Sequence, residues 1–270
     1  MKNLKENYSN EHILYLKKIR NKSLIVKGSQ IGLLIIFIGL WELLAQVGAI
    51  NSFITSSPSK IAKTVGELWT SGELFTHMGV TLFETIVGFL LASFLGTLIA
   101  IGLWWSETIR KILEPYIVVL NSLPKIALGP LIIIWVGAGT NAIVAICVLI
   151  CIIITIITML NAFLSCDNDK ILLMKSMGAN KFTILTKLIL PYSAPNFISM
   201  LKINVGMSWV GSIIGEYLSS KAGLGYLIVY GSQVFRLDLV MTSTVLLCIL
   251  ASLMYFAVAL LEKHYIKKHR

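Results

Sequence analysis

The sequence predicts an all-α membrane protein with six transmembrane helices and both termini in the cytoplasm. Three observations carry that reading. First, 56% of the 270 residues are hydrophobic and only 13% are charged, whereas soluble domains carry roughly a quarter of their residues as charge. Second, apolar runs recur at lengths near the about 20 helical residues needed to cross a bilayer. Third, the lysines and arginines collect between those runs rather than within them. The mean hydropathy of +0.83 agrees. A soluble core of this size would also lack the polar surface to cover it.

The elements follow in order. Residues 1–29 are polar and basic, and the apolar run behind them begins too late and runs too long for a cleaved signal peptide, so it is expected to stay as an anchor. One membrane domain, 30–262, then holds spans at 30–50, 80–105 (most apolar over 85–105), 115–137, 142–163, 191–215 and 239–261, and 263–270 form a basic tail. The external segment 51–79 opens on Ser57-Pro58-Ser59, a helix start, and puts Ile61, Val65, Leu68 and Trp69 on one face. It reads as an amphipathic helix on the outer surface. The third span is broken by Pro124-Lys125 and Gly129-Pro130. Backbone groups freed there cannot be satisfied by lipid, so this stretch is expected to face protein or a water-filled path.

Cytoplasmic loops retain cations in excess. With six spans and both ends inside, the inner segments hold seventeen Lys and Arg and the outer ones four, with Lys125 and Lys202 inside spans. The formal charge of +10 is therefore mostly a topology signal, and nucleic-acid binding is excluded as its explanation.

Within the spans, Gly88, Ala92, Gly96 and Ala100 form a small-residue stripe, and Gly211 and Gly215 repeat it. Such faces let helices approach closely, either within this chain or against another copy. Lys125 either snorkels to the inner interface or acts on a solute, and Lys202 lies deeper. Glu42 and Glu84 are acidic groups in or beside spans, and either could pair with a lysine or tune which solutes enter.

Nothing looks catalytic. There is no phosphate-binding G-x-x-x-x-G-K-[ST] motif, no nucleophile elbow and no zinc-protease signature. "GAGTNA", Gly137 to Ala142, links two spans and reads as a tight turn, not a dinucleotide site. Cys147 and Cys151 share a helix face without a His or carboxylate to complete a metal set. An intramembrane enzyme would have to draw on Glu42, Glu84 and Lys202, which lack a nucleophile–base arrangement. A passive channel is the other alternative, and it would not need the next feature.

Segment 164–190 is cytoplasmic and amphipathic. Ile171, Met174, Met177 and Gly178 recur at helical spacing, a bend falls at Gly178-Ala179-Asn180, and Phe182, Leu185 and Leu188 continue an apolar face with Lys181 and Lys187 off it. A short helix that lipid rejects lies on the interface or docks in a partner's groove. The segment resembles the cytoplasmic signature of binding-protein-dependent ABC importer permeases: Gly178, Leu190 and Pro191 match at the right spacing and Leu188 stands for Ile. Leu172-Leu173-Met174 replace the usual Glu-Ala-Ala.

The stretches "SLPKIALGPLIIIWVGAG", 122–139, and "SWVGSIIGEYLSSKAGLGYLI", 208–228, resemble the subgroup serving nitrate, sulfonate, taurine and thiamine-precursor importers, and the likeness covers roughly residues 50–262. The resemblance implies the type I importer permease fold, a multi-pass place in the cell membrane and pairing with a second copy. It also implies two cytoplasmic ATPase subunits that bind ATP and Mg, and an external solute-binding protein. No cofactor is expected in this chain. Met174, Lys175, Gly178, Ala179, Asn180 and Pro191 are expected to couple to the ATPase, and Asn121, Pro124, Trp135, Trp209, Glu216 and Glu84 to line the path. Members of the subgroup often carry Arg where this chain has Glu84, so an exposed carboxylate there would disfavour anions and favour a neutral or cationic solute such as a vitamin precursor.

Overall fold

The computed structural model describes residues 10–51 and 53–268. Residues 1–9 of the basic N-terminal segment and 269–270 of the basic tail lie outside that range. All regular structure among the described residues is helical. Among the described residues, five helical stretches are long and apolar enough to cross a membrane: Leu24–Gln46, Glu73–Trp105, Thr140–Leu164, Lys181–Ser219 and Leu237–His264. A sixth candidate is a bent pair, Glu107–Ser122 and Lys125–Val136, meeting at 88°. Its break falls where Pro124 removes a backbone donor and bars the helical conformation from its predecessor, Leu123.

The chain divides into two units, Met1–Lys63 and Thr64–Arg270. In the first, α1 (Asn10–Gln46) is a single helix whose apolar part carries large side chains on all sides, Leu33, Ile35, Ile36 and Phe37 among them exposed, as a lipid-facing helix requires. Glu42 accepts hydrogen bonds from the Ser59 N–H at 3.0 Å and from Gln46 Nε2 at 2.8 Å. Its carboxylate thereby caps the first turn of α2 (Pro58–Thr70), where Ser57 accepts from the Lys60 N–H and Pro58 occupies the first helical position.

The second unit is organised around α6 (Thr140–Leu164). It runs between α3 (Glu73–Trp105) and α9 (Leu190–Ser219), and both neighbours present their small residues to it. A Cβ on Gly88 would lie 2.4 Å from Cys147 Sγ, one on Gly96 2.7 Å from Thr155, one on Gly211 2.7 Å from Cys147 Cα and one on Gly215 2.9 Å from Ile143. The partner of both stripes is thus α6 of the same chain. Helices drawn this close are joined by hydroxyl and amide groups, whose bonds hold where no water competes. Asn204 on α9 donates to Ser93 on α3 at 3.0 Å and to Thr155 on α6 at 2.8 Å, and Thr85 meets Ser212 at 2.7 Å.

The remaining helices dress this three-helix centre. α4 (Glu107–Ser122) follows α3 after one extended residue, Ser106, whose hydroxyl accepts from the Ile109 N–H. A 3₁₀ turn, Lys125–Leu128, leads into α5 (Gly129–Val136). Gly137 and Gly139 then turn the chain with positive φ into α6, so "GAGTNA" is a turn. α10 (Leu224–Gln233) and α11 (Leu237–Lys268) pack on α9. The lysine that pairs within a span is Lys202, and its partner is neither Glu42 nor Glu84: Nζ meets both carboxylate oxygens of Glu262 at 2.8 and 2.9 Å.

Candidate functional site

The cytoplasmic segment between α6 and α9 is two short helices about a fixed hinge. α7 (Asn168–Ser176) begins at Asp167, whose side chain accepts from the Asp169 N–H at 2.9 Å. It ends on Gly178 at φ +81°, with Gly178 N–H donating to the Lys175 carbonyl and Ala179 N–H to the Met174 carbonyl. That pair of reversed bonds is the Schellman helix stop, and it needs a left-handed residue, which glycine supplies without strain. Asn180 then caps the next helix, α8 (Lys181–Ile184), accepting from Thr183 N–H and Oγ1 at 2.8 Å each. Met174, Lys175, Gly178, Ala179 and Asn180 therefore form one tight corner, with Lys175, Gly178 and Asn180 exposed.

α8 does not stop at a loop before Pro191. It continues through a single π-helical stretch, Leu185–Ile189, into α9, so the fifth span begins at Lys181 rather than near 191. Proline cannot donate to a carbonyl one turn back and its ring crowds that carbonyl; a widened turn before Pro191 relieves both. The buried face of this piece is Ile184, Leu185 and Ile189, packed with Leu103 of α3 and Phe163 of α6. Phe182, expected on that face, is instead 63% exposed, because the π turn rotates the register between it and Leu188.

Two ties fix the corner to the bundle. Lys181 donates to the carbonyl of Trp105, with its ammonium 5.9 and 5.6 Å from the Trp104 and Trp105 ring centres. Tyr192 donates to the Ser165 carbonyl at 3.1 Å. The sequence placed Lys181 off the apolar face and gave it no partner; the tandem Trp104-Trp105 at a span end was the signal that a cation could seat there. Leu172, Leu173, Met177 and Phe182 are left as an exposed apolar patch about the hinge.

The residues expected on the path are not all together. Asn121, Pro124 and Trp135 are exposed around the bent α4–α5 pair, with Lys125 Nζ bonded to the Asn121 carbonyl at 3.1 Å. Trp209 is 4% exposed in a cluster with Phe89 and Leu224, its indole N–H without a partner among the described residues. Glu84 and Glu216 are each 1% exposed and lie beside one another. Glu216 caps α10: its Oε2 accepts from the Gly225 N–H at 2.6 Å and the Tyr226 N–H at 3.3 Å, while His77 and Thr81 accept from Gly223 and Leu224 N–H. A Cβ on Gly223 would lie 2.3 Å from that carboxylate, so "KAGLG" is shaped to let backbone close on it. No group of three or more metal ligands exists among the described residues.

The family model described as "Binding-protein-dependent transport system inner membrane component" matches residues 88–269. The chain belongs to this family. Among curated relatives, this permease is 28% identical over 187 residues to the formylaminopyrimidine transport permease of Halalkalibacterium halodurans, covering 69% of this chain and 74% of that one. It is 23% identical over 238 residues to the taurine transport system permease of Escherichia coli, covering 86% of each. Against the riboflavin transport system permease of Chloroflexus aurantiacus it is 25% identical over 230 residues, 85% of this chain and 86% of that. The fold is shared with solved ABC importers. A chain of the bacterial alginate transporter superposes with a TM-score of 0.64 at 14% identity, over 93% of this permease and 99% of that chain. One of the inward-facing methionine transporter MetNI does so at 0.60 and 19%, over 70% and 95%. The protein is a multi-pass inner-membrane permease subunit of an ABC importer for small solutes.

Proposed function

We propose that the permease works as a pair of copies driven by two cytoplasmic ATPase subunits, fed by an external binding protein, and that its cargo is a small neutral or cationic nitrogenous solute. The observation that carries the coupling is the exposed α7–α8 corner, tied through Lys181 to α3 and through Tyr192 to α6. Force on Gly178 or Asn180 is delivered to the two helices that pack on the bundle axis, so a partner that closes on the corner moves the spans as rigid levers. Pro191 and the π turn before it are the point of give. Leu172 stands where relatives carry an acidic docking residue, and with the exposed Leu173 and Met177 it offers an apolar surface, which suits a hydrophobic ATPase groove.

The cargo reading is supported by likeness: identity to the formylaminopyrimidine permease is 28%, against 23% to the taurine permease. Glu84 adds nothing to it: at 1% exposure it is not the exposed mouth carboxylate that would repel anions. Co-purification with the soluble ATPase tests the first part; a permease that never retains one is not so driven. Uptake into proteoliposomes holding the full complex tests the second, with a pyrimidine carried and taurine not. Sulfonate uptake without pyrimidine uptake reverses the cargo assignment.

A further inference from the structure

We propose that Glu84 and Glu216 share a single proton, held on Glu84, and that this proton binds the outer ends of α3, α9 and α10 together. Both carboxyls are buried and adjacent, yet both oxygens of Glu84 and Oε1 of Glu216 lack any hydrogen-bond partner among the described residues. Two anions side by side in such a place cannot both persist, and the lightest remedy is one proton between them.

The donors decide which carboxyl carries it. Glu216 Oε2 receives two N–H groups at the positive end of α10, a ten-residue helix, and that arrangement favours the ionised form. Glu84 receives no N–H, and its neighbours are the Glu216 carboxyl and the Thr140 hydroxyl at the start of α6. A Glu84 O–H donating to Glu216 Oε1, with the Thr140 hydroxyl turned toward the other Glu84 oxygen, satisfies all three orphaned atoms with one proton.

Among the described residues no cationic side chain acts on the pair. On α3, His77 has its Nδ1 occupied by the Gly223 N–H, and Glu73 lies a turn further out. Tyr217 follows Glu216 on α9, and α10 adds Tyr226. Asp238 at the start of α11 is engaged by Thr64 and Arg236. Lys221, in the loop between α9 and α10, is exposed. Thr85 is committed to Ser212, while Thr81, which accepts from Leu224 N–H, turns its hydroxyl to Glu216 and adds a donor that favours the ionised form there.

Loss of the proton sets two negative charges against each other beneath the cap of α10. Folding holds a proton that the unfolded chain releases in neutral solution, so stability falls as pH rises through the loss of that proton. The test uses the purified full chain in lipid nanodiscs. Infrared spectra at neutral pH are expected to show a protonated carboxylic acid that disappears in Glu84→Gln and persists in Glu216→Gln. The melting temperature of the native chain is expected to drop toward alkaline pH by several degrees more than that of Glu84→Gln, whose amide N–H replaces the proton permanently. Absence of the acid band, its loss in Glu216→Gln alone, or equal pH slopes overturns the proposal. So does a melting temperature that responds to the identity of Na⁺, K⁺ or Ca²⁺ in the native chain only, which makes the occupant a metal cation. Should Glu84→Gln fail to fold, the band in the native chain and in Glu216→Gln still decides.

Discussion

At the scale of single residues, the contacts of α6 dictate what can change. Gly211 faces the Cys147 backbone, whereas Gly88 faces the Cys147 side chain. Alanine at 211 must therefore push two helix backbones apart, at a cost of about 1–3 kcal/mol. Alanine at 88 meets atoms with somewhat more freedom, so Gly211→Ala is expected to lower the melting temperature in detergent more than Gly88→Ala. Equal effects would show that the two glycines are not distinguished by what they touch. The spacing of these glycines was legible in the sequence, but their partner was not: α6 is apolar on every face, so nothing in its pattern marks the side that packs. Asn204 carried no readable signal either, although it links three helices. Asn204→Leu strands the Ser93 and Thr155 hydroxyls and is expected to cost about 0.6–2 kcal/mol, the range for interhelical hydrogen bonds in membranes, in a chemical-unfolding measurement.

At the scale of elements, the cytoplasmic corner was the best-read part of the chain, because helix stops and caps are local chemistry. Gly178 and Asn180 fall at the left-handed stop and the next N-cap. What escaped was continuity through Pro191, since a proline after an apolar run reads equally as a break or as a first-turn residue. The break at Pro124 was legible for the same local reason, but its angle was not. Gly178 has open space around the site of a Cβ, so only its φ of +81° resists substitution. Gly178→Ala should cost about 1–2 kcal/mol at the hinge, the penalty for a left-handed alanine, while Gly178→Asn is better tolerated. In a reconstituted complex the alanine variant is expected to lose ATP-driven uptake more than the asparagine variant, with expression of both retained. Lys181→Ala removes the tie to Trp105, and uptake should fall while ATPase binding survives. Lys181→Arg, which also stacks on indole, should recover part of the loss.

At the scale of the whole molecule, composition sufficed to read the class, because the bilayer acts on sums over long segments, and cation placement predicts the orientation. They carried nothing about the acid pair: Glu84 and Glu216 lie 132 positions apart by their numbers, and only folding brings them together. Orientation is the claim on which docking depends, since an ATPase reaches the α7–α8 corner only from inside. Single cysteines at Asn180 and Lys221, both exposed, test it with a membrane-impermeant maleimide on intact cells. Cys147, Cys151 and Cys166 are buried, and burial pushes the Cys166 thiol up, so the native background comes from Cys248, which is exposed and is first replaced by serine. Lys221→Cys should label from outside and Asn180→Cys only after the cells are opened. The opposite pattern would turn the bundle over, leave the corner facing the binding protein, and remove the route by which ATP hydrolysis could move the spans.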